Sequence, residues 1–207
     1  KEKPAILLNG CQHAREWISV MVPMYIAEQL LVGYGTDPQI TLLLDSTEVL
    51  IVPIVNPDGY VYSHTTERLW RKNRRNNGNG TFGVDLNRNW DIDWGGPEST
   101  STNSNSDVYI GEEPFSEPET SSMRDLVSSR DNIVAHIDFH NYSQLILQPW
   151  GHTNELPADY AVINDLGARM KQAIYGVHGE SYPNGSGSTF IYLASGTCED
   201  WHYSQGI

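Results

Sequence analysis

Short apolar runs alternate with helical repeats along this chain, and that alternation limits the folds it can adopt. The apolar runs fall at residues 5–8, 48–55, 133–139 and 145–148, and helical patterns cover 17–34, 37–44, 116–129 and 156–175. Strands that are apolar along their whole length are buried on both faces, which is typical of parallel sheets covered by helices. The sequence therefore predicts an α/β fold, with a mixed, mostly parallel β-sheet sandwiched between α-helices in a single domain.

The remaining segments carry loop signals. The Asn-Pro-Asp-Gly sequence at 56–59 predicts a turn, and the long polar stretch at 59–102 predicts an irregular segment of the kind that often carries function. A glycine-rich loop is predicted at 176–188, followed by a short strand at 189–192.

Two candidate metal ligands follow the first apolar run, and a third follows a later one. His13 and Glu16 stand three positions apart after residues 5–8, and His140 comes directly after residues 133–139. In open α/β sheets, ligands bind beyond the carboxyl ends of the strands. Two imidazoles and a carboxylate form the ligand set of a hydrolytic zinc site with an open fourth position. We predict one Zn²⁺ here, although a single His-x-x-Glu pattern is more often a surface contact and a single histidine a core residue.

The charge and hydropathy of the chain exclude two classes of partner. Its 26 acidic and 13 basic residues give a net charge of −13, which argues against nucleic acid. No apolar run approaches the roughly 18 residues that a membrane-spanning helix needs. We expect a monomer that acts on neither a membrane nor nucleic acid.

The N-glycosylation sequons and the cysteines give information on whether the protein is secreted. Sequons begin at Asn79, Asn141 and Asn184, which favours a secreted, extracellular glycoprotein. We expect Asn141 to be unmodified because it adjoins a predicted zinc ligand. Cys11 and Cys198 are too few for a disulfide framework, and the sequence leaves their pairing open.

Five sequence blocks occur in an order that resembles the zinc carboxypeptidases of the pancreatic carboxypeptidase A/B family. They are GCQHAREW at 10–17, RLWRKNR at 68–74, GVDLNRNW at 83–90, DFHNYSQ at 138–144 and IYLASG at 191–196. The resemblance implies a zinc metallocarboxypeptidase that hydrolyses the C-terminal peptide bond of peptides and proteins. It also implies that residues 1–207 form the catalytic domain without its N-terminal and C-terminal portions.

The same resemblance assigns roles to polar residues outside the zinc set. Arg88 and Asn87 match the pair that binds the terminal carboxylate, for which a guanidinium fork is suited. Arg71 matches the arginine that polarises the scissile carbonyl and stabilises the developing oxyanion. Three further matches lie on the substrate side and one is a carboxylate that orients a zinc-bound histidine: Tyr192, Tyr142 and Arg15, and Asp85.

Glu199 occupies the position that resembles the base of the family's side-chain pocket. In the family, an apolar residue at this position implies substrates that end in an apolar residue, and an aspartate implies substrates that end in lysine or arginine. A carboxylate in a pocket selects a cationic side chain. We predict a preference for C-terminal Lys or Arg; a glutamate that swings out would give a mixed preference, and a solvent-exposed charge at a helix start would give none.

One element of the family pattern is not matched. The resemblance places the general base on a glutamate in a strand soon after the Gln-Gly-Ile segment, and this sequence stops at that segment, at Ile207. A binding-only homologue that holds zinc and peptide C-termini without hydrolysis is therefore the alternative. A cysteine hydrolase using Cys11 with His13 is a third possibility, but no oxyanion-hole motif surrounds that pair.

Overall fold

A three-stranded parallel sheet forms the centre of the computed structural model, which describes residues 3–207. The strands are β1 (Ala5–Gly10), β2 (Glu48–Val52) and β3 (Ile133–Phe139), in the order β2-β1-β3. Both pairings are parallel, with Leu8 opposite Ile51 on one side and Ile137 on the other. The predicted α/β class is confirmed. β1 lies in the middle of the sheet, which explains why its sequence is apolar on both faces.

Seven α-helices surround and extend this sheet within residues 3–207. Asp37 caps the second helix, because its carboxylate accepts from the backbone N–H groups of Gln39 (2.8 Å) and Ile40 (3.2 Å). Gly179 ends the fifth helix in the left-handed conformation at φ 74°. The helices are α1 (Ile18–Gly33), α2 (Pro38–Ser46), α3 (Pro57–Thr65), α4 (Pro118–Ser128), α5 (Tyr160–His178), α6 (Gly187–Phe190) and α7 (Cys198–Ser204).

The two faces of the central sheet pack differently. Ala5 and Leu7 belong to the main apolar core, which also contains Trp90 and Trp201. On the alternate side of β1, Gly10 lies directly against the backbone carbonyl of Ser19 in α1, so that a side chain at Gly10 would collide with it. The close approach of α1 to the end of β1 fixes the path of the loop that follows β1.

A second, smaller sheet lies near α5. It pairs β4 (Ile146–Gln148) and β5 (Asn184–Ser186) in parallel, with Ile146 opposite Asn184. Gly167 of α5 allows this close packing, because a Cβ there would meet the side chains of Gln148 and Asn184. β4 agrees with the predicted strand at 145–148.

Two local predictions were wrong, and two predicted loops were too long: α3 extends into 59–102, and the end of α5 and all of β5 lie inside 176–188. The predicted turn at 56–59 instead starts α3: the Asn56 side chain accepts from Gly59 N–H at 3.0 Å, and Pro57 occupies the first helical turn. Asparagine followed by proline signals a turn and a helix cap equally well. The predicted strand at 189–192 overlaps the single helical turn α6, and β5 lies just before it.

The length and hydropathy of the helices bear on whether any of them could cross a membrane. Among the helices of residues 3–207, none is by itself long and apolar enough to cross a membrane; only α1 and α2 taken together meet that test, and they are bent by 104°. Several large apolar side chains of α1 are exposed, including Met21, Tyr25 and Leu31.

Candidate metal and substrate site

The three predicted zinc ligands converge beyond the carboxyl ends of β1 and β3. Glu16 Oε1 lies 2.8 Å from His13 Nδ1, and Glu16 Oε2 lies 2.9 Å from His140 Nδ1. The two Nδ1 atoms are 3.1 Å apart. Since β1 and β3 are parallel neighbours, with Gly10 opposite Phe139, the loops after them emerge side by side. The sheet therefore joins residues that are more than a hundred positions apart in sequence.

These three residues suit a zinc ion. They offer two imidazole nitrogens and a carboxylate whose ligand atoms all lie within 4.8 Å of one another. Burial alone would raise the pKa of Glu16, but the imidazoles of His13 and His140 hold it well below its usual range. Burial lowers the pKa of His140, and Asp138 and Glu16 more than offset this, so the pKa stands well above its usual value. Two imidazole nitrogens that face one point beside a buried carboxylate are arranged for a cation between them.

Asp85 holds the outer side of His13. Its Oδ1 lies 3.1 Å from His13 Nε2, and its Oδ2 accepts from Arg71 Nε at 3.0 Å and Nη2 at 2.8 Å. The carboxylate is fully buried; burial would raise its pKa, but Arg71 and His13 hold it well below its usual range. One carboxylate thus orients both a predicted metal ligand and the predicted oxyanion arginine.

Asp138 holds the outer side of His140, a contact that the sequence analysis missed. Its Oδ2 lies 2.7 Å from His140 Nε2 and also accepts from the side-chain amide of Gln12. Its Oδ1 accepts from Asn9 Nδ2 at 2.6 Å. Asp138 and His140 stand two positions apart at the end of β3, where alternate side chains share a face. That spacing is the signal that could have revealed the pair.

Arg88 is buried beside Tyr192. Its side chain donates to the carbonyl oxygen of Ser99 at 2.8 Å and lies 3.5 Å from the hydroxyl of Tyr192. Among residues 3–207, no Asp or Glu forms an ion pair with Arg88, although Arg88 is only 3% exposed. The neighbouring Asn87 accepts from the backbone N–H of Cys198 at 2.7 Å, which ties this turn to α7. A buried guanidinium without a counter-ion suits an incoming carboxylate.

Glu199 lies in the first turn of α7 and is partly buried. Burial and the neighbouring Asp200 raise its pKa to about 7. Asp200 differs, because its oxygens are taken up by the backbone N–H groups of Gly151 (2.8 Å) and His152 (2.9 Å) and by the His152 imidazole (2.6 Å). No cation of residues 3–207 pairs with Glu199, so its carboxylate is the one available to a ligand.

A profile described as zinc carboxypeptidase matches residues 1–207. The chain belongs to the zinc carboxypeptidase family. This confirms the resemblance that the sequence blocks indicated, and the family assignment agrees with the two-histidine, one-carboxylate cluster at the ends of β1 and β3.

Relatives and solved structures agree with this membership. The chain is 42% identical over 207 residues to carboxypeptidase A2 of Rattus norvegicus, covering 100% of this chain and 49% of that protein. It is 39% identical over 208 residues to carboxypeptidase B of Astacus astacus, covering 99% of this chain and 67% of that protein. The crystal structure of thrombin activatable fibrinolysis inhibitor superposes with a TM-score of 0.95 at 36% identity, covering 100% of this chain and 52% of the other. The chain spans about half the length of the mammalian relatives it matches.

Two residues predicted to bind substrate, Arg15 and Tyr142, form no described contact with the three predicted zinc ligands. Arg15 donates to the carbonyl oxygen of Leu69 at 3.1 Å and lies 3.4 Å from Asp107 near the surface. Tyr142 is 94% exposed. The structure does not bring either side chain to the ligand atoms, and their predicted contacts with substrate stay predictions.

A second group of metal-type ligands lies between β3 and α7. His136, Cys198 and His202 approach one another, with Cys198 Sγ 4.0 Å from His136 Nε2 and 3.5 Å from His202 Nδ1. Asn9 donates its amide to Asp138, so its carbonyl oxygen accepts from His136 Nε2. His202 Nδ1 donates to the Cys198 carbonyl at 2.8 Å. The nitrogens nearest the sulfur therefore carry protons, and the two stacked rings form part of the packed interior.

The cysteines do not support a thiol enzyme. Cys11 and Cys198 are both free and buried. Burial and the nearby carboxylates of Glu16 and Asp138 raise the pKa of Cys11 to about 12, so the thiol stays protonated at neutral pH. A protonated, buried thiol is a poor nucleophile, which contradicts the cysteine-hydrolase alternative.

Proposed function

We propose that this zinc carboxypeptidase family member hydrolyses the C-terminal peptide bond of peptides and proteins, with a preference for C-terminal Lys or Arg. The observation that carries the proposal is the convergence of His13, Glu16 and His140, and it is supported by the buried Arg88, which forms no ion pair with an Asp or Glu of residues 3–207. His13, Glu16 and His140 would hold the zinc ion. When bound, zinc supplies a Lewis acid that activates water and polarises the scissile carbonyl.

The chain's own residues would place the peptide. The guanidinium of Arg88 would receive the terminal carboxylate, and the exposed Tyr192, whose hydroxyl lies 3.5 Å from Arg88, would close over it. Arg71 would stabilise charge on the scissile oxygen, because Asp85, which also contacts the predicted zinc ligand His13, holds its guanidinium in a partly buried position. The catalytic base is not assigned to any of the 207 residues.

Glu199 supports the proposed preference. A Lys or Arg side chain would offer its carboxylate the cation that it does not meet among residues 3–207. The relatives themselves do not decide the preference, since proteins named carboxypeptidase A and carboxypeptidase B are both similar to this chain. We propose Glu199 as the residue that selects the C-terminal side chain.

The cellular location of the protein is also proposed rather than observed. We propose a secreted protein, supported by three sequons of which Asn79 is exposed. Asn141 is partly buried, and its backbone N–H donates to Glu16 Oε2 at 3.1 Å, which fits the expectation that it is unmodified. Residues 1–207 would form part of the catalytic domain, and peptide C-termini would be the partners.

The experiment is release of the terminal residue from four matched peptides ending in Lys, Arg, Leu or Phe. Activity should vanish on chelation, return with added zinc, and survive a thiol-blocking reagent. Peptide binding with zinc present but no release would instead support the binding-only homologue. Release that survives chelation would refute the zinc assignment.

A further inference from the structure

We propose that Asp138 is a positioning residue that sets the affinity of the metal site through His140. The inference rests on the proposed zinc function, and it concerns a carboxylate separate from Asp85. The Asp138 side chain is only 4% exposed and lies against the outer nitrogen of His140. A carboxylate in that position orients a metal-binding imidazole and increases its basicity as a ligand.

The number of donors around Asp138 requires a carboxylate. Three N–H groups meet its two oxygens: Asn9 Nδ2 donates to Oδ1 at 2.6 Å, while Gln12 Nε2 and His140 Nε2, the latter at 2.7 Å, share Oδ2. An asparagine would offer one oxygen and present an NH₂ group to at least one of these donors. Only an acceptor at both positions satisfies all three.

This arrangement fixes the tautomer of His140. With the Nε2 proton committed to Asp138, Nδ1, which lies 2.9 Å from Glu16, is the nitrogen that loses its proton and offers a lone pair when a metal binds. The imidazole is therefore presented to the metal position by the atom that a zinc ion would bind. Asp138 does this without touching the metal position itself.

The partners of Asp138 are themselves held in one orientation. Gln12 accepts from Trp90 Nε1 at 3.1 Å through its carbonyl oxygen, so its NH₂ group must face Asp138. Asn9 accepts from His136 Nε2 in the same way. Both amides are fully buried. Since Gln12 directly precedes His13, this network links the loop of one histidine ligand to the other histidine ligand.

Asp138 has fewer kinds of partner than Asp85, so a substitution at Asp138 tests support of the metal site separately from the predicted oxyanion site. Asp85 contacts Arg71 as well as His13, so its loss would disturb the predicted oxyanion site and the metal site together. The described contacts of Asp138 are two amides and His140, none of which belongs to the predicted substrate residues. A change at Asp138 should therefore act on the metal first.

The experiment compares zinc binding by the wild type, Asp138→Asn and the control Glu117→Gln. Glu117 is also a fully buried carboxylate with several donors, among them Asn73 at 2.7 Å and Arg75 at 2.8 Å, but it occupies the N-cap position of α4, and its described hydrogen bonds include none to the predicted zinc ligands. Zinc dissociation constants come from competition with a chelator, and zinc release rates from a dye that captures the freed ion. The thermal midpoint of each metal-free protein measures any purely structural effect.

We expect Asp138→Asn to bind zinc about 10–100-fold more weakly and to release it faster, while Glu117→Gln keeps the wild-type affinity. If Asp138→Asn does not fold, Asp138→Ser gives the same comparison with less crowding of donors. Wild-type zinc affinity in a folded Asp138 variant would overturn this inference and leave the proposed function standing. Failure of the wild type to bind zinc would overturn the proposed function and this inference with it.

Discussion

The pKa of Glu199 yields a quantitative prediction about specificity. Its pKa of about 7 means that the carboxylate changes charge across the range in which a zinc peptidase is assayed. Only the ionised form would attract a C-terminal Lys, whereas a C-terminal Leu gains nothing from it. The ratio of kcat/KM for a Lys peptide to that for a matched Leu peptide should therefore rise with pH.

The size of the rise follows from the titration. With a pKa near 7, about 9% of Glu199 is ionised at pH 6 and about 91% at pH 8, so the Lys/Leu ratio should rise about tenfold between them. The ratio is the useful quantity because it cancels titrations that affect both substrates, including those of the metal ligands. The Glu199 side chain is only partly buried, so its ion pair with a substrate Lys should contribute less than a fully buried ion pair would. Removing the charge of Glu199 should therefore lower the preference for Lys by about 10–100-fold.

Glu199→Gln is the matched control, since it keeps the length and polarity of the side chain but cannot ionise. Initial rates on the two peptides from pH 6 to pH 8 would give the comparison. The variant should show a low Lys/Leu ratio that does not vary with pH. A flat ratio in the wild type, or an unchanged ratio in the variant, would refute the assignment of Glu199 to the pocket.

Three further predictions concern the metal site and the fold. Zinc binding at pH 7 should release protons, because the raised pKa of His140 means that its proton must leave before it ligates; calorimetry in buffers of different ionisation enthalpy measures this, and affinity should rise with pH. Asp85→Asn should weaken zinc binding by about 10–100-fold and lower the free energy of unfolding by about 3–5 kcal/mol, measured by chelator competition and urea denaturation. Gly10→Ala should destabilise by about 1–3 kcal/mol in thermal unfolding, because its methyl group would meet the Ser19 carbonyl.

Each of these has an outcome that contradicts it. Proton-independent zinc binding would mean that His140 is already neutral. Wild-type zinc affinity in Asp85→Asn would show that the carboxylate does not support His13. For Gly10, the control is Gly176→Ala in α5, where nothing lies within 4 Å of the added methyl group and a neutral or stabilising effect is expected. Equal effects at the two glycines would argue against the close contact of β1 with α1.

The convergence of the three predicted zinc ligands and the central strands could be predicted because their signals are local. Residues 5–8 and 133–139 are short apolar runs, and the ligands follow directly after them, where parallel strands of a sheet place their binding groups. The start of α3 was mistaken for a turn because Asn56 and Pro57 suit both structures. That choice depends on the Lys72 and Gln12 carbonyls that accept from the Asn56 amide at 3.2 and 2.9 Å, which no local pattern shows.

The surroundings of the ligands could be predicted only in part. Asp85 was found through the family resemblance, but its hold on Arg71 was not, because the two residues meet only when the long segment after α3 folds back. The contact of Asp138 with His140 could have been predicted from their spacing, but its contacts with Asn9 and Gln12 could not, because only the pairing of β1 with β3 brings these residues together. Contacts between distant segments are what sequence periodicity does not record.

The shared carboxylate of Asp85 also limits how this site can change. Because Asp85 contacts both His13 and Arg71, the roles proposed for these two residues, in holding the metal and in stabilising charge on the substrate, would not be independent. Losses at His13 and Arg71 should therefore combine non-additively, since removal of either changes the surroundings of the one buried carboxylate that both contact. A change at Arg71 that kept the predicted metal site would therefore also need a new partner for this carboxylate.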